Sequence, residues 1–584
     1  MAFDFQSAYT VGYERLCAWA DLLDLINVFP VADADTGLNL KISLAPLRCL
    51  NAYDGEVSER LILSARGNSG NIAAAFFYEF MAADEPEKVY PAVRAGRQKA
   101  WEALADPQPG TMLTVFDALA GVLAEIPADQ VLSRVSMLMD RLEHAVHSTR
   151  DILPALKQAG VVDAGALGMF IFFEGFFTAL CGAERRFRPV TDMFRDELKC
   201  SPSGEAGKGV HCVESVVNSN GSALEAARTL AGVGESVIVI PNRRKLKIHM
   251  HTRDLRATRD SLKSLGDVVH WTDEVVTEQP TADGRRVDSK AVHIMTDAAG
   301  SVTLADARRW DMTLLSSYIT LEGLSLPETL LSPENLYETM RLGGRVTTSQ
   351  ASMFERSQCC QSVLSRYRQV LYLCVGSVYT GNYDAVVSWK RKNDSEGRLH
   401  VIDTGAASGR LGTVALATAA FASRGHDIAR VVQFAKTAVV RSREYLFLDR
   451  LRYLAAGGRL SKTGGFIGDL LHLKPVISPT VRGAEKAGLT RSPEEQLEFA
   501  VAKLKCGFKP EPGNFIMLEY TDNYRWVETV KHEVQRRYPA AEMVLQPLSL
   551  TSGAHMGPGS WGVAFLSNDP GPTEGGECKN DNRA

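Results

Sequence analysis

Apolar and polar positions alternate in three different textures along the chain. Over residues 1–198 the apolar residues recur at helical spacing in long runs broken by short Gly, Pro and Asp segments. The runs are Ala8 to Leu25, Ser58 to Ala65, Asn71 to Ala82, Tyr90 to Ala105, Leu113 to Ile126, Val131 to Ala145 and Ala166 to Leu180. Residues three and four apart share a helix face, so this part is predicted to be all-α. Residues 199–285 change period: His211 to Val217, Ser236 to Ile240 and Leu246 to His251 read as strands and Ser222 to Leu230 as a helix. That pattern predicts a small α+β unit, opened by the polar Ser201 to Gly209 and closed by a charged linker, Thr281 to Ser289. Over residues 286–570, short apolar runs (His293 to Asp297, Val370 to Val375, Leu399 to Asp403, Asn514 to Glu519, Ser560 to Leu566) end in polar turns that lead into helices. Such alternation predicts an α/β domain with a largely parallel sheet, whose ligands sit beyond the carboxyl ends of its strands. Residues 571–584 are rich in Gly, Glu, Asn and Lys and are predicted to be disordered. The fold class expected is therefore multidomain: all-α, then small α+β, then α/β.

Composition narrows the function classes. The 584 residues are 45% hydrophobic and 23% charged, with a net charge of −4, the balance of a soluble protein with no basic excess for nucleic acid. Met169 to Leu180 is the longest nearly apolar run, and it carries Glu174 and is too short for a membrane span. Ten cysteines without framework spacing, and a start lacking a basic segment followed by an apolar one, lead us to expect a cytoplasmic protein.

The candidate chemistry begins at Asn27-Val28-Phe29-Pro30-Val31-Ala32-Asp33-Ala34-Asp35-Thr36-Gly37-Leu38-Asn39. Hard cations such as Mg²⁺ take carboxylate oxygens together with those of a bound phosphate, and an irregular segment entering a helix can aim two carboxylates at one ion. The same Asp-x-Asp pattern also serves as a solvated loop or helix cap. Ser64 to Gly70 is a small-residue turn suited to phosphate oxygens, and equally to capping a helix. Pro109 to Leu113 and Val162 to Ala166 are small-residue breaks between helices. In the middle unit, His249 and His251 share a strand face, and with Cys212 they form a donor set suited to zinc; a polar strand edge is the plainer reading. His211 is an alternative donor, although on a strand it points away from its neighbour. In the last domain the turns at Thr296, Thr347, Gly376, Gly405, Gly457 and Gly553 gather hydroxyls, Arg459 and His555, which together can hold a carboxylate without a metal. Capping is the commoner fate of such hydroxyls.

In order, NVFPVADADTGLN, SARGNSG, GTMLT and VVDAGALG resemble the DhaL-type nucleotide-binding domain of dihydroxyacetone kinases and of bacterial fatty acid kinase A. The resemblance implies an antiparallel helical barrel holding Mg–ATP. It makes Asp33 and Asp35 magnesium ligands, with Asn27 where relatives carry a third, acidic one. It implies an ATP site of Thr36, Asn39, Asn68, Ser69, Gly70, Thr111, Met112, Asp163 and Gly165. Ala34 stands where relatives have Gly. The Cys212 strand and the Ile248 to Thr252 strand resemble the middle of fatty acid kinase A, which implies Zn²⁺ on Cys212, His249 and His251.

TDAAGS, TTSQAS, GSVYTGN, DTGAAS, GGRLS and GAHMGPG resemble the DegV family of fatty-acid-binding proteins over about residues 291–567. This implies a head-group site of Thr348, Thr380, Arg459 and His555, although Gly376 and Asn382 depart from the family's hydroxyls. Jointly, the resemblances imply a fatty acid kinase with its two usually separate parts fused, converting ATP and a fatty acid to acyl phosphate and ADP. Asp33, Asp35 and Arg459 would be its catalytic residues. They also imply an acyltransferase that consumes the product, peripheral membrane contact for lipid exchange, and a homodimer if the two sites do not meet within one chain. A dihydroxyacetone-type small-molecule kinase and a non-catalytic lipid-binding protein are the alternatives.

Overall fold

The structure is a computed structural model that describes residues 4–49, 54–182, 187–198, 209–276, 291–456, 473–511 and 513–567. Arg459 with its Gly457 to Ser461 motif, the linker Thr281 to Ser289 and residues 571–584 lie outside the described residues. The chain divides into two compact units, Met1–Val287 and Asp288–Ala584.

In the first unit, seven helices pack in a closed cycle: Phe5–Cys17, Ala164–Leu180, Val135–Ile152, Met112–Glu125, Pro86–Ala103, Gly67–Phe80 and Thr36–Ser43, the last returning to the first. The predicted run Ala8 to Leu25 is two helices, Phe5–Cys17 and Ala20–Leu25, because the chain turns at Ala18 and Trp19 while its apolar period continues. Tyr9, Phe76, Phe77, Phe80, Phe116, Phe172, Phe173 and Phe176 fill the interior, with Phe76 stacked on Phe116 at 4.0 Å between ring centres. Each such ring contributes roughly 1.5–3 kcal/mol by burial.

The middle segment forms a four-stranded antiparallel sheet in the order Glu235–Asn242, Lys245–Thr252, His211–Asn218, Asp267–Val275. Helices Ala223–Ala231 and Leu255–Leu265 complete a split β-α-β-β-α-β unit; the second helix and the last strand escaped the sequence reading. Alternation sorts its faces. Val213, Val217, Leu246, Ile248 and Met250 join the core with Ala226, Ala227, Leu230 and Leu262 of the helices. Cys212, Glu214, Lys247, His249 and His251 occupy the alternate positions and so the opposite face. The sheet packs against helix Gly67–Phe80 through strands Glu235–Asn242 and Lys245–Thr252.

Among the described residues the second unit contains three sheets. One is parallel, in the order Leu399–Asp403, Val370–Cys374, His293–Asp297, Met312–Leu315. A six-stranded sheet (Gly483–Thr490, Lys474–Thr480, Ser442–Phe447, Trp561–Leu566, Phe515–Tyr520, Glu542–Pro547) is parallel only between its last two strands. The third, Leu324–Pro327, Ser317–Leu321, Val346–Gln350, is antiparallel. The α/β class stands, but a largely parallel sheet does not. Polar strands such as Gly483–Thr490 carry no apolar run, and a two-residue turn makes that strand a hairpin with its predecessor. Helix Ser408–Ala422 packs on both larger sheets and supplies the core between them. Among the described residues no helix is long and apolar enough to cross a membrane.

Candidate active site

Asp35 stands at the N-cap of helix Thr36–Ser43, yet its side chain caps no backbone N–H. Asp33 sits two residues earlier and accepts from Asn27 Nδ2 at 2.7 Å. Burial, then the charge of Asp35 and a hydrogen bond with it, push Asp33 up to about 8, against the donation from Asn27. Two crowded carboxylates in a desolvated setting are what a divalent cation would relieve. Ala34 between them has φ +54°, the left-handed region where a side chain is strained.

The turn that begins helix Gly67–Phe80 lies opposite. Gly67 has φ +61°, and a Cβ there would fall on the Asn39 side-chain amide, so only glycine permits this approach. Thr36 Oγ1 and Ser69 Oγ meet at 3.2 Å, tying the starts of the two helices together. One narrow cleft is lined by Asn27, Asp33, Asp35, Thr36, Asn39, Asn68, Ser69, Cys212 and His251, among others. Two carboxylates and two helix starts with orphan N–H groups thus face one space.

Asp163 caps helix Ala164–Leu180, accepting from Ala166 N at 2.7 Å and also from the N–H groups of Gly165 and Met112. Burial pushes it up to about 7 against those donors. A Cβ on Gly165 would meet Met112 Cε at 2.7 Å, so Met112, Asp163 and Gly165 are one cluster. Thr111 caps the helix that begins at Met112. None of these four lines the Asp33 cavity.

On the middle sheet, Cys212 pairs with His251 and Glu214 with His249 across neighbouring strands. Donor atoms of Cys212, His249 and His251 lie within 4.8 Å of one another. Burial and neighbouring His249 lower His251 to about 3, leaving a neutral imidazole. For His249 burial opposes the charge, but Cys212 and Glu214 prevail and hold it up at about 10. This donor set of two imidazoles and a thiol fits a zinc ion. His211 pairs with Thr252 and Val275, one position out of phase with Cys212, which places it on the other face. Sequence reasoning missed Glu214 and Lys247, although both sit two residues from a named histidine or cysteine on the same strand face.

In the second unit, Thr348 Oγ1 and His555 Nε2 are 3.1 Å apart. Thr348 lies within strand Val346–Gln350 rather than in a turn, and helix Leu550–Met556, which carries His555, packs on that strand. Thr380 Oγ1 accepts from Asn382 N at 3.2 Å, and a Cβ on Gly381 would lie 3.7 Å from Gln350 Nε2, so this turn faces the same strand. Asn382 donates through Nδ2 to buried Asp297 and accepts from Arg356.

Three family models match separate parts of the chain. Residues 291–568 match the family described as "Uncharacterised protein, DegV family", residues 30–178 match "DAK2 domain", and residues 209–281 match the family of fatty acid kinase A-like middle domains. "Protein YloV" of Bacillus subtilis is 28% identical over 309 residues, 48% of this chain and 56% of that one. "Uncharacterized protein SAB1090" of Staphylococcus aureus is 30% identical over 270 residues, 41% and 49% of the two chains. The chain thus spans about half the length of the curated relatives it matches. Among solved structures, "Fatty Acid Binding of a DegV family Protein from Thermus thermophilus" is 21% identical with a TM-score of 0.44, covering 47% of this chain and 99% of that one. The structure described as "Crystal Structure of DegV, a fatty acid binding protein from Bacillus subtilis" is 18% identical with a TM-score of 0.43, covering 48% and 100%.

Proposed function

Because the chain joins a DAK2 domain, a fatty acid kinase A-like middle domain and a DegV-family domain in one polypeptide, we propose that it is a fatty acid kinase. It would transfer the terminal phosphate of ATP to a fatty acid carboxylate, giving acyl phosphate and ADP. The observation that carries the reading is the single cavity shared by Asp33, Asp35, Asn39, Asn68 and Ser69. Asp33 and Asp35 would hold Mg²⁺, with Asn27 orienting Asp33 rather than replacing a carboxylate. The metal supplies charge neutralisation on the phosphates. Asn68, Ser69 and Gly70 would bind phosphate oxygens, Thr36 and Asn39 would brace that turn, and Thr111, Met112, Asp163 and Gly165 would border the nucleoside. Thr348, Thr380 and His555 would hold the carboxylate, with Arg459 from the motif as its cationic partner. No strong base is required, because a carboxylate is ionised at neutral pH. Cys212, His249 and His251 would hold Zn²⁺ beside the phosphates, two of them lining the same cavity.

Steady-state ADP release by the purified chain tests this reading. Oleate should stimulate it, and Asp33→Ala should abolish the stimulation. ADP release indifferent to oleate would refute it.

A further inference from the structure

One oxygen joins the middle sheet to the phosphate-binding turn. Glu214 Oε1 accepts from Gly67 N at 2.9 Å, from Asn71 Nδ2 at 3.1 Å and from His249 Nδ1 at 2.9 Å. The other oxygen, Oε2, lies 2.5 Å from Lys247 Nζ, and both side chains are nearly buried. A buried carboxylate with this many donors has one position, and groups bonded to the same oxygen cannot move independently. Gly67 is the first residue of its helix and abuts Asn39, while Asn68 and Ser69 follow it into the cavity. On the other side, the same oxygen holds the His249 ring, whose Nδ1 also lies 3.8 Å from Cys212 Sγ, so the carboxylate touches the cation-type cluster directly.

We propose that Glu214 is a positioning residue that couples cation binding at Cys212, His249 and His251 to nucleotide binding at the Gly67 turn. The inference rests on the kinase reading for the identity of that turn. A cation taken up at His249 changes the bond between that ring and Glu214 Oε1, and because Gly67 N–H and the Asn71 amide share the same oxygen, the change reaches the phosphate-binding turn. By linkage the nucleotide strengthens the cation site by the same factor.

The test uses the full chain, with Zn²⁺ affinity read by competition with a chromophoric chelator and Mg–ADP affinity by calorimetry. In the unaltered chain Mg–ADP should bind about fivefold or more tightly with Zn²⁺ than without it. Glu214→Gln should weaken Zn²⁺ by about tenfold or more and bind Mg–ADP equally with and without it. Cys212→Ser should lose Zn²⁺ and bind Mg–ADP like the zinc-free parent. If Glu214→Gln fails to fold by circular dichroism, Glu214→Asp decides: one methylene shorter, it cannot span Gly67 and His249, and it should bind Zn²⁺ without coupling. A parent indifferent to Zn²⁺, or full coupling in a folded Glu214 variant, overturns the proposal. Neither readout involves a fatty acid. Coupling without oleate phosphorylation would therefore refute the kinase reading alone, and phosphorylation without coupling would refute only the role of Glu214.

Discussion

The two candidate sites solve opposite electrostatic problems. In the first unit, acidic and metal-type side chains are crowded into a desolvated cavity, so that Asp33 is pushed up to about 8 beside Asp35. In the second, a hydroxyl and an imidazole meet at 3.1 Å. A pocket that receives a polyanion with its cation gains from negative charge that the cation then neutralises. A pocket that receives a carboxylate must offer donors and withhold acids. The contrast teaches that crowded acids favour a cation and paired donors favour an anion, which is the division of labour the proposed reading requires.

The largest expected effect breaks the comparison on one side only. Asp33→Ala or Asp35→Ala should lower turnover by about a thousandfold, the scale of losing a principal electrostatic contact to the transition state. Lipid co-purifying with the protein, measured by mass spectrometry, should be unchanged. Equal loss of both would contradict the division of labour. The converse variants are smaller. Thr348→Val or His555→Ala should weaken oleate binding by about tenfold or more, as expected for one hydrogen bond to a charged group, and should leave Mg–ADP affinity unchanged in calorimetry.

Asp163 sharpens the comparison through pH. Its folded pKa of about 7 lies above the usual 3.8, so the folded state prefers the protonated acid. That contribution to stability is complete below about 3.8 and is lost as pH rises through about 7. Asp163→Asn keeps an acceptor for the Ala166 N–H and should flatten the pH dependence of melting across this window; Asp163→Ala should flatten it as well and melt lower than Asp163→Asn by about 1 kcal/mol at any pH in it, for want of the cap. The smallest effect is at Ala34, where φ is +54°. Ala34→Gly should stabilise the chain by up to about 1 kcal/mol, read as a higher denaturation midpoint.

Much of the first unit was legible because helices with a buried face write their period into the sequence: Met112–Glu125 and Ala164–Leu180 begin within two residues of the predicted runs. The middle sheet was legible in three strands, but the exposed strand Asp267–Val275 hides behind charged residues. In the second unit, Leu399–Asp403 was read to the residue, whereas Val346–Gln350 was read as a turn, because a polar strand is held by backbone pairing that leaves no hydrophobic mark. The same limit applies to the sites. Asp33, Asp35 and the Ser64 to Gly70 turn announce themselves by residue type. Glu214 reads as an ordinary strand acid, and only the register opposite His249 and the reach to Gly67 reveal its position.

The most direct measurement is the fate of the terminal phosphate of labelled ATP incubated with the full chain, Mg²⁺ and oleate. The account predicts label in a lipid-extractable species that hydroxylamine discharges, as an acyl phosphate requires. Label appearing only in inorganic phosphate, or in a polyol phosphate when dihydroxyacetone is supplied, would contradict it.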